Sequence, residues 1–123
     1  MQLCCTLHLK GNFMSRMILA VLGFALIPAV GAAASLHVPS DSKATYTVLD
    51  RDTSGNERTI TTKRVGSSGT SYSRRLYNCA DRTVKYLGTG ETLEQMKSSK
   101  PDPRMGPIVS GSIADYVGAE ACR

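Results

Sequence analysis

The sequence predicts a small α+β domain in which an antiparallel sheet of about four strands packs with two short helices and is closed by one disulfide. Between positions 44 and 87, apolar and polar residues alternate in runs that are separated by turn-forming residues, as in neighbouring antiparallel strands. After position 91 the alternation gives way to two capped segments with helical spacing. Only two cysteines, Cys79 and Cys122, lie beyond the N-terminal region.

The strands are predicted at short intervals, which indicates an antiparallel meander rather than βαβ units. Thr, Tyr, Val and Ile recur in them, as is typical of strands. Residues 52–56 and 66–69 supply two of the turns. The predicted strands are 44–49, 57–65, 70–79 and 82–87.

Two short helices are predicted after the strands. Thr92 stands three residues before Gln95, which matches a capping box, and Pro101 ends this helix after one or two turns. Ser112 stands three residues before Asp115 and begins a second helix, whose apolar residues share one face.

Cys79 and Cys122 are predicted to be joined. An exported domain of this size commonly contains a disulfide, and no other cysteine remains once the N-terminal region is removed. The bridge would tie the terminal helix to the third strand and stabilise the domain by about 4 kcal/mol through loop closure. Two buried free thiols are the alternative.

Residues 1–34 are predicted to be a signal peptide. Arg16 precedes an uncharged stretch, Met17–Ala34, in which an apolar run is broken by Pro28 and followed by small residues. This order is typical of a cleaved export signal, so the protein is expected in the periplasm or outside the cell.

Cleavage is expected before Ser35, and cleavage after Ala32 is the alternative. Translation is expected to begin at Met14 or Met17. An uncleaved anchor is a second alternative, because the apolar stretch reaches the lower length of a membrane-spanning helix. After cleavage, no stable membrane span is expected.

The remaining chain is expected to form a flexible leader, 35–43, and a single domain, 44–123. Lys10 and Arg16 leave with the signal peptide, so 13 of the 15 Lys and Arg residues stand against 10 Asp and Glu, a net charge of +3. A charge this small gives no support to nucleic-acid binding.

No set of residues in the predicted domain matches a catalytic or metal site, so the protein is not expected to be an enzyme. His37 is the sole histidine beyond the signal peptide, and it lies in the predicted leader, badly placed for a Ser-His-Asp triad. Zinc sites need several Cys or His residues at short spacing, and that spacing is absent. No cofactor is expected.

A cationic strip is the candidate binding site. If the second, third and fourth strands pair, basic residues on them lie beside Tyr72, Tyr77 and Tyr86 and are able to dock an acidic protein loop, a lipid headgroup or an anionic polymer. An ordinary charged face that keeps the protein soluble is the alternative. The basic residues of the predicted strip are Lys63, Arg64, Arg74, Arg75, Arg82 and Lys85.

Residues 44–123 resemble the surface-adhesin protein E type of small exported bacterial domain. The residues that carry the resemblance are Tyr77-Asn78-Cys79, Arg82, Tyr86, Pro107, Gly111-Ser112 and Cys122. The resemblance implies a sheet packed by helix, the Cys79–Cys122 bridge, display in the bacterial envelope and binding of host matrix or plasma proteins. Unlike that adhesin, the chain has no Trp and no lipid-attachment cysteine.

A second resemblance is to small periplasmic lysozyme inhibitors of the β-barrel kind, whose SGxxY signature is matched by Ser68–Tyr72. A hairpin turn that leads into a strand is the alternative explanation of these five residues.

We therefore expect an exported, non-catalytic binding module, monomeric or weakly dimeric, with a protein or an anionic polymer as its partner. A lysozyme-type inhibitor and a structural envelope protein without a soluble ligand are the alternatives.

Overall fold

In the computed structural model, which describes residues 33–123, the chain forms one antiparallel sheet with two α-helices and a short 3-10 helix. The sheet has six strands in the order β1-β2-β3-β4-β5-β6, so each strand pairs with the next one along the chain. The elements are β1 (Ala34–Leu36), the 3-10 helix (Pro39–Asp41), β2 (Thr45–Ser54), β3 (Glu57–Gly66), β4 (Gly69–Asn78), β5 (Thr83–Gly90), α1 (Leu93–Ser98), β6 (Gly106–Pro107) and α2 (Ile113–Ala121).

The predicted meander and its α+β character are confirmed, but the sheet has six strands rather than four. The two additional strands are the edge strands β1 and β6, with three and two residues. Segments this short carry no alternating pattern, and Pro107 in β6 argues against a strand when read from sequence alone. No helix among residues 33–123 is long and apolar enough to cross a membrane.

The expected leader, 35–43, holds regular structure because its side chains are anchored to the sheet. Ser35 and Leu36 pair with β2 as part of β1. Val38 is buried, and Asp41 in the 3-10 helix contacts side chains of β2 and β3. The predicted signal peptide lies outside the described residues, except for Ala33 and Ala34, the second of which begins β1.

Helix α2 packs on one side of the sheet, which we call the covered face. Its Val117 and Ala121 form the core with Val48, Ile60 and Tyr77 of β2, β3 and β4. The helix approaches closely because residue 118 is a glycine: a Cβ there would lie 2.6 Å from a ring carbon of Tyr77. The Tyr77 hydroxyl donates a hydrogen bond of 2.8 Å to the carbonyl oxygen of Ala114, so ring and hydroxyl both bind the helix.

The end of α2 is joined covalently to the end of β4. The predicted disulfide is confirmed: Cys79 and Cys122 are bonded, with their Cα atoms 5.8 Å apart. The start of the helix is fixed by its predicted cap, in which the Ser112 hydroxyl accepts a hydrogen bond of 3.1 Å from the backbone N–H of Asp115. A nine-residue helix is marginal in isolation, so the cap, the core contacts and the bridge together hold it in place.

Helix α1 lies on the opposite side of the sheet, which we call the open face. Its predicted cap is confirmed, since the Thr92 side chain accepts a hydrogen bond of 3.2 Å from the N–H of Gln95. The helix rests directly on β5 because residues 88 and 90 are glycines. A Cβ at Gly88 would overlap the carbonyl oxygen of Met96, and one at Gly90 would lie 2.6 Å from Cβ of Gln95. Six residues of helix, about 9 Å, cover only one end of this face.

We expect removal of the disulfide to lower the free energy of unfolding by about 2–4 kcal/mol, because the unfolded chain regains the freedom of a long loop. The change is the double substitution Cys79→Ser with Cys122→Ser, and the measurement is urea denaturation followed by circular dichroism. Equal midpoints for the parent and the variant would show that α2 is held by packing alone.

We expect Gly88→Ala to destabilise the domain by about 1–3 kcal/mol, because the added methyl group forces α1 away from β5. The matched control is Gly106→Ala on β6, where the nearest atom to a Cβ is the carbonyl oxygen of Val84 at 3.9 Å. Thermal melts of both variants measure the difference. A loss at position 106 as large as at position 88 would contradict the packing argument.

Candidate functional site

The structure divides the predicted cationic strip between the two faces of the sheet. Lys63, Arg74 and Lys85 lie on the open face with Tyr72, as their cross-strand register requires. Arg64 and Arg75 lie on the covered face, and Arg82 lies in the turn between β4 and β5. The six residues therefore do not form a single strip, because neighbouring residues of a strand point to opposite faces.

The open-face cations extend along β3, β4 and β5 from one aromatic ring. Lys63 stands directly opposite Tyr72 in the register, and its Nζ is 6.0 Å from the centroid of the ring. Arg74 follows Tyr72 on the same side of β4 and is exposed. Lys85 stands opposite Leu76, the next residue of that side. We call Lys63, Tyr72, Arg74 and Lys85 the open-face cluster.

None of the cations in the open-face cluster is neutralised by a carboxylate of the described chain. The four ion pairs among residues 33–123 are Arg51–Glu120, Arg64–Asp41, Arg82–Asp115 and Arg123–Glu120. All four lie off the open face. The cluster therefore presents cations without ion-pair partners on a surface that α1 covers only at one end. The carboxylates of the same face, Asp50, Asp52 and Glu57, lie on β2 and at the first residue of β3.

Arg64 is occupied by a structural contact on the covered face. Its Nε donates a hydrogen bond of 2.6 Å to Oδ2 of Asp41, and the Tyr46 hydroxyl donates one of 2.7 Å to the same oxygen. These hydrogen bonds, from Arg64 first and then from Tyr46, lower the pKa of Asp41 below the ordinary 3.8. Burial, and then the hydrogen bond to Asp41, raises the pKa of Tyr46. The contacts among Asp41, Tyr46 and Arg64 hold the 3-10 helix against β2 and β3.

Arg75 is a buried arginine without a carboxylate partner among residues 33–123. Its side chain donates to the hydroxyl oxygens of Thr62, at 3.1 Å, and Tyr86, at 3.2 Å, and its guanidinium carbon lies 4.7 Å from the centroid of the Tyr86 ring. The residue is only 4% exposed, and its Nε has no hydrogen-bond partner. Beside it, burial raises the pKa of Tyr77. Arg75 therefore belongs to the interior of the domain and not to a binding surface.

Arg82 lies next to the disulfide and contacts α2. It has a positive φ of 53°, and its side chain reaches Asp115 of α2 at 3.4 Å. These two residues line a small cavity of about 100 Å³ beside Cys79 and Cys122. The contact reinforces the covalent link between α2 and the β4–β5 turn.

A groove of about 280 Å³ runs over the open face between α1 and β2. Leu49, Leu93 and Met96 supply its apolar lining, and Arg74 and Lys97 supply cations. Sequence analysis missed this groove, because it depends on where α1 sits and on an extra residue in β2. Arg74 belongs both to the groove and to the open-face cluster, so the two are continuous.

The chain matches no family model, no curated protein and no solved structure. Within residues 33–123, no group of three or more His, Cys, Asp or Glu side chains is placed to hold a metal ion. The candidate site is therefore the open-face cluster with the groove beside it.

We expect Asp41→Asn to lower the melting temperature at neutral pH, because a neutral amide accepts weaker hydrogen bonds from Arg64 and Tyr46 and leaves the charge of Arg64 unpaired. Since the pKa of Asp41 is lowered on folding, its stabilising effect is present above the carboxyl's ordinary pKa of 3.8 and is lost as pH falls through the folded value. The gap between parent and variant should therefore close below that pH. Asp81→Asn, at an exposed turn position, is the control, and an equal, pH-independent loss in both would contradict the argument.

Proposed function

We propose that this protein is an exported, non-catalytic binding module, of the adhesin-like kind, that uses its open-face cluster to bind an acidic surface of another protein. The observation that carries the proposal is the position of three cations and a tyrosine on one sheet face without any carboxylate partner in residues 33–123. Every other arginine of the predicted strip is engaged within the domain.

The chemistry of the cluster suits a protein surface. Tyr and Arg are enriched among residues that carry binding energy in interfaces, because each combines a large contact area with hydrogen-bond donors. Uncompensated positive charge attracts an acidic partner and accelerates its encounter, most strongly at low ionic strength. The four-residue cluster lies on paired strands, so little backbone freedom is lost when a partner docks.

Export is supported by the disulfide and by the predicted signal peptide. Disulfides persist in the periplasm and outside the cell, and they are rare where thiols are kept reduced. The Cys79–Cys122 bridge would be stable in such a compartment. The proposed working form is a monomer or a weak dimer.

A lysozyme-type inhibitor is the second candidate, because Tyr72 of the SGxxY match lies in the open-face cluster. The β3–β4 hairpin accounts for Gly69 without any inhibitory role, since this residue has a φ of 109° that other residues rarely adopt. Inhibition of lysozyme in a turbidity assay, lost in Tyr72→Ala, would favour this candidate over the adhesin-like one.

The proposal predicts that Lys63→Glu with Arg74→Glu abolishes retention on an immobilised acidic protein and on a heparin-type column, because the cluster changes from cationic to anionic. The parent should be retained and elute only when salt is added, whereas the variant should pass through the column at low salt. Arg75 is left unchanged, since a glutamate at that buried position would test folding rather than binding. The protein is purified from the envelope fraction, where its intact mass also reports the mature N-terminus and the disulfide.

Lys43→Glu with Arg104→Glu is the matched control, because both residues are exposed and the net charge changes equally. Binding in this control should remain close to that of the parent. Equal losses in the two variants would mean that net charge alone drives binding, and unchanged binding in the Lys63/Arg74 variant would remove the open-face cluster from the proposal. Retention on heparin alone would assign the site to an anionic polymer instead of a protein.

A further inference from the structure

The floor of the groove is a row of residues that crosses the sheet. Asp50, Thr61, Arg74 and Gly88 stand opposite one another on β2, β3, β4 and β5. The register shifts in β2 between Val48 and Asp50, and the β4–β5 register also shifts beside Arg74. Bulges of this kind bend a strand locally and redirect a side chain. Both irregularities therefore meet the same row and shape the surface there.

One wall of the groove is α1, and its position is fixed by its contact with β5. The glycine at the β5 end of the row lets the helix backbone rest on the sheet, which buries Met96 to 5% exposure. Leu93 stands nearby on the same helix, and Leu49 lies on the opposite side, at the bulge of β2. Apolar side chains thus face each other across a gap that the six-residue helix is too short to fill.

The charges of the groove are unevenly distributed. Arg74 and Lys97 are exposed and form no ion pair within residues 33–123, and both lie on the α1 side of the groove. Asp50 lies on the β2 side, two strands from Arg74, so that their Cα atoms are roughly 10 Å apart. An occupant with a carboxylate towards α1 would satisfy both cations and keep away from Asp50.

The groove is small. Its volume of about 280 Å³ is close to the lower end of the roughly 300–1,000 Å³ of pockets that enclose drug-sized ligands. It also opens onto the rest of the open face, where the cluster continues the positive charge. An extended peptide fits this shape better than a free metabolite.

We infer that the groove is the anchor point for a peptide segment in which a large apolar side chain stands next to a carboxylate. The inference rests on the proposed function and specifies which part of an acidic partner enters the open face. The apolar side chain packs against Leu49, Leu93 and Met96, and the neighbouring carboxylate binds Arg74 and Lys97.

Three acetylated octapeptides with a Glu-Phe-Glu, Glu-Leu-Glu or Glu-Tyr-Glu centre are suitable probes. Each has two matched peptides, one with Ala in place of the apolar residue and one with Gln in place of both glutamates. Binding is followed by the methyl NMR signals of Met96, which lies in the groove, and Met105, which lies outside it. The Met96 signal should shift with at least one probe while that of Met105 stays in place.

The variants separate the groove from general charge attraction. Arg74→Glu with Lys97→Glu should weaken the binding of the probe peptide at least about tenfold, as expected when two close charges are reversed. Asp50→Asn should tighten peptide binding by about twofold, because it removes a negative charge on the strand two away from Arg74 that repels the peptide's acid. Lys43→Glu with Arg104→Glu is again the control and should leave the affinity within about twofold of the parent. Retained circular dichroism melts confirm that each variant is folded.

Two outcomes overturn the inference in distinguishable ways. If the Ala-centred peptide binds as tightly as the apolar probes, the groove is not an anchor, while acidic binding by the open-face cluster stands. If no probe at millimolar concentration moves the Met96 signal although the protein is still retained on the immobilised acidic protein, the acidic partner docks elsewhere on the face. Failure of both measurements would overturn the proposed function together with the inference.

Discussion

The disulfide between Cys79 and Cys122 is the constraint on which the rest of the structure depends. It fixes the end of a nine-residue helix to the end of β4, and it keeps Val117 and Ala121 over the covered face. A helix this short gains little stability by itself, so its position has to come from packing and from the covalent link. Within residues 33–123 the other side receives only the six-residue helix α1, so the open face remains partly uncovered.

The arginines show the consequence of this asymmetry. On the covered face the cations of β2, β3 and β4 are matched within the domain: Arg51 by Glu120, Arg64 by Asp41, and the buried Arg75 by hydroxyl groups and the Tyr86 ring. Arg58, on the same face, donates to backbone carbonyl oxygens of the β2–β3 turn. An unmatched charge there would destabilise the fold, because no favourable contact would offset the free energy of removing the charge from water. On the open face water solvates the cations, so Lys63, Arg74 and Lys85 persist without carboxylates. Their charge remains available to a partner, and we regard this as the physical basis of the proposed function.

The features that were predictable from sequence are those with a local signal. Alternation identified the four long strands, the spacing of Thr92 and Ser112 to their partners identified both helix starts, and elimination identified the disulfide. The short edge strands carry no period, and the contact of Asp41 with Arg64 joins residues 23 positions apart that no local pattern connects. Alternation does separate Arg74 from Arg75, but which of the two faces solvent depends on where α2 packs, a tertiary fact. The groove depends in addition on the β2 bulge and on the glycines beneath α1.

The two faces are coupled mechanically through the strands that they share. Tyr77 and Arg75 are held from the covered side by α2, Thr62 and Tyr86. Arg74 of the open-face cluster is the direct neighbour of Arg75 on β4, and Tyr72 lies two residues before Arg74 on the same strand. A strand anchored on one side cannot shift its other side freely, because a displacement of one residue exchanges the faces. The cross-strand placement of Lys63 and Tyr72 is therefore fixed before any partner arrives. Binding to this preformed backbone requires only side chains to be ordered, which is how a domain this small would be able to recognise a partner through a few residues.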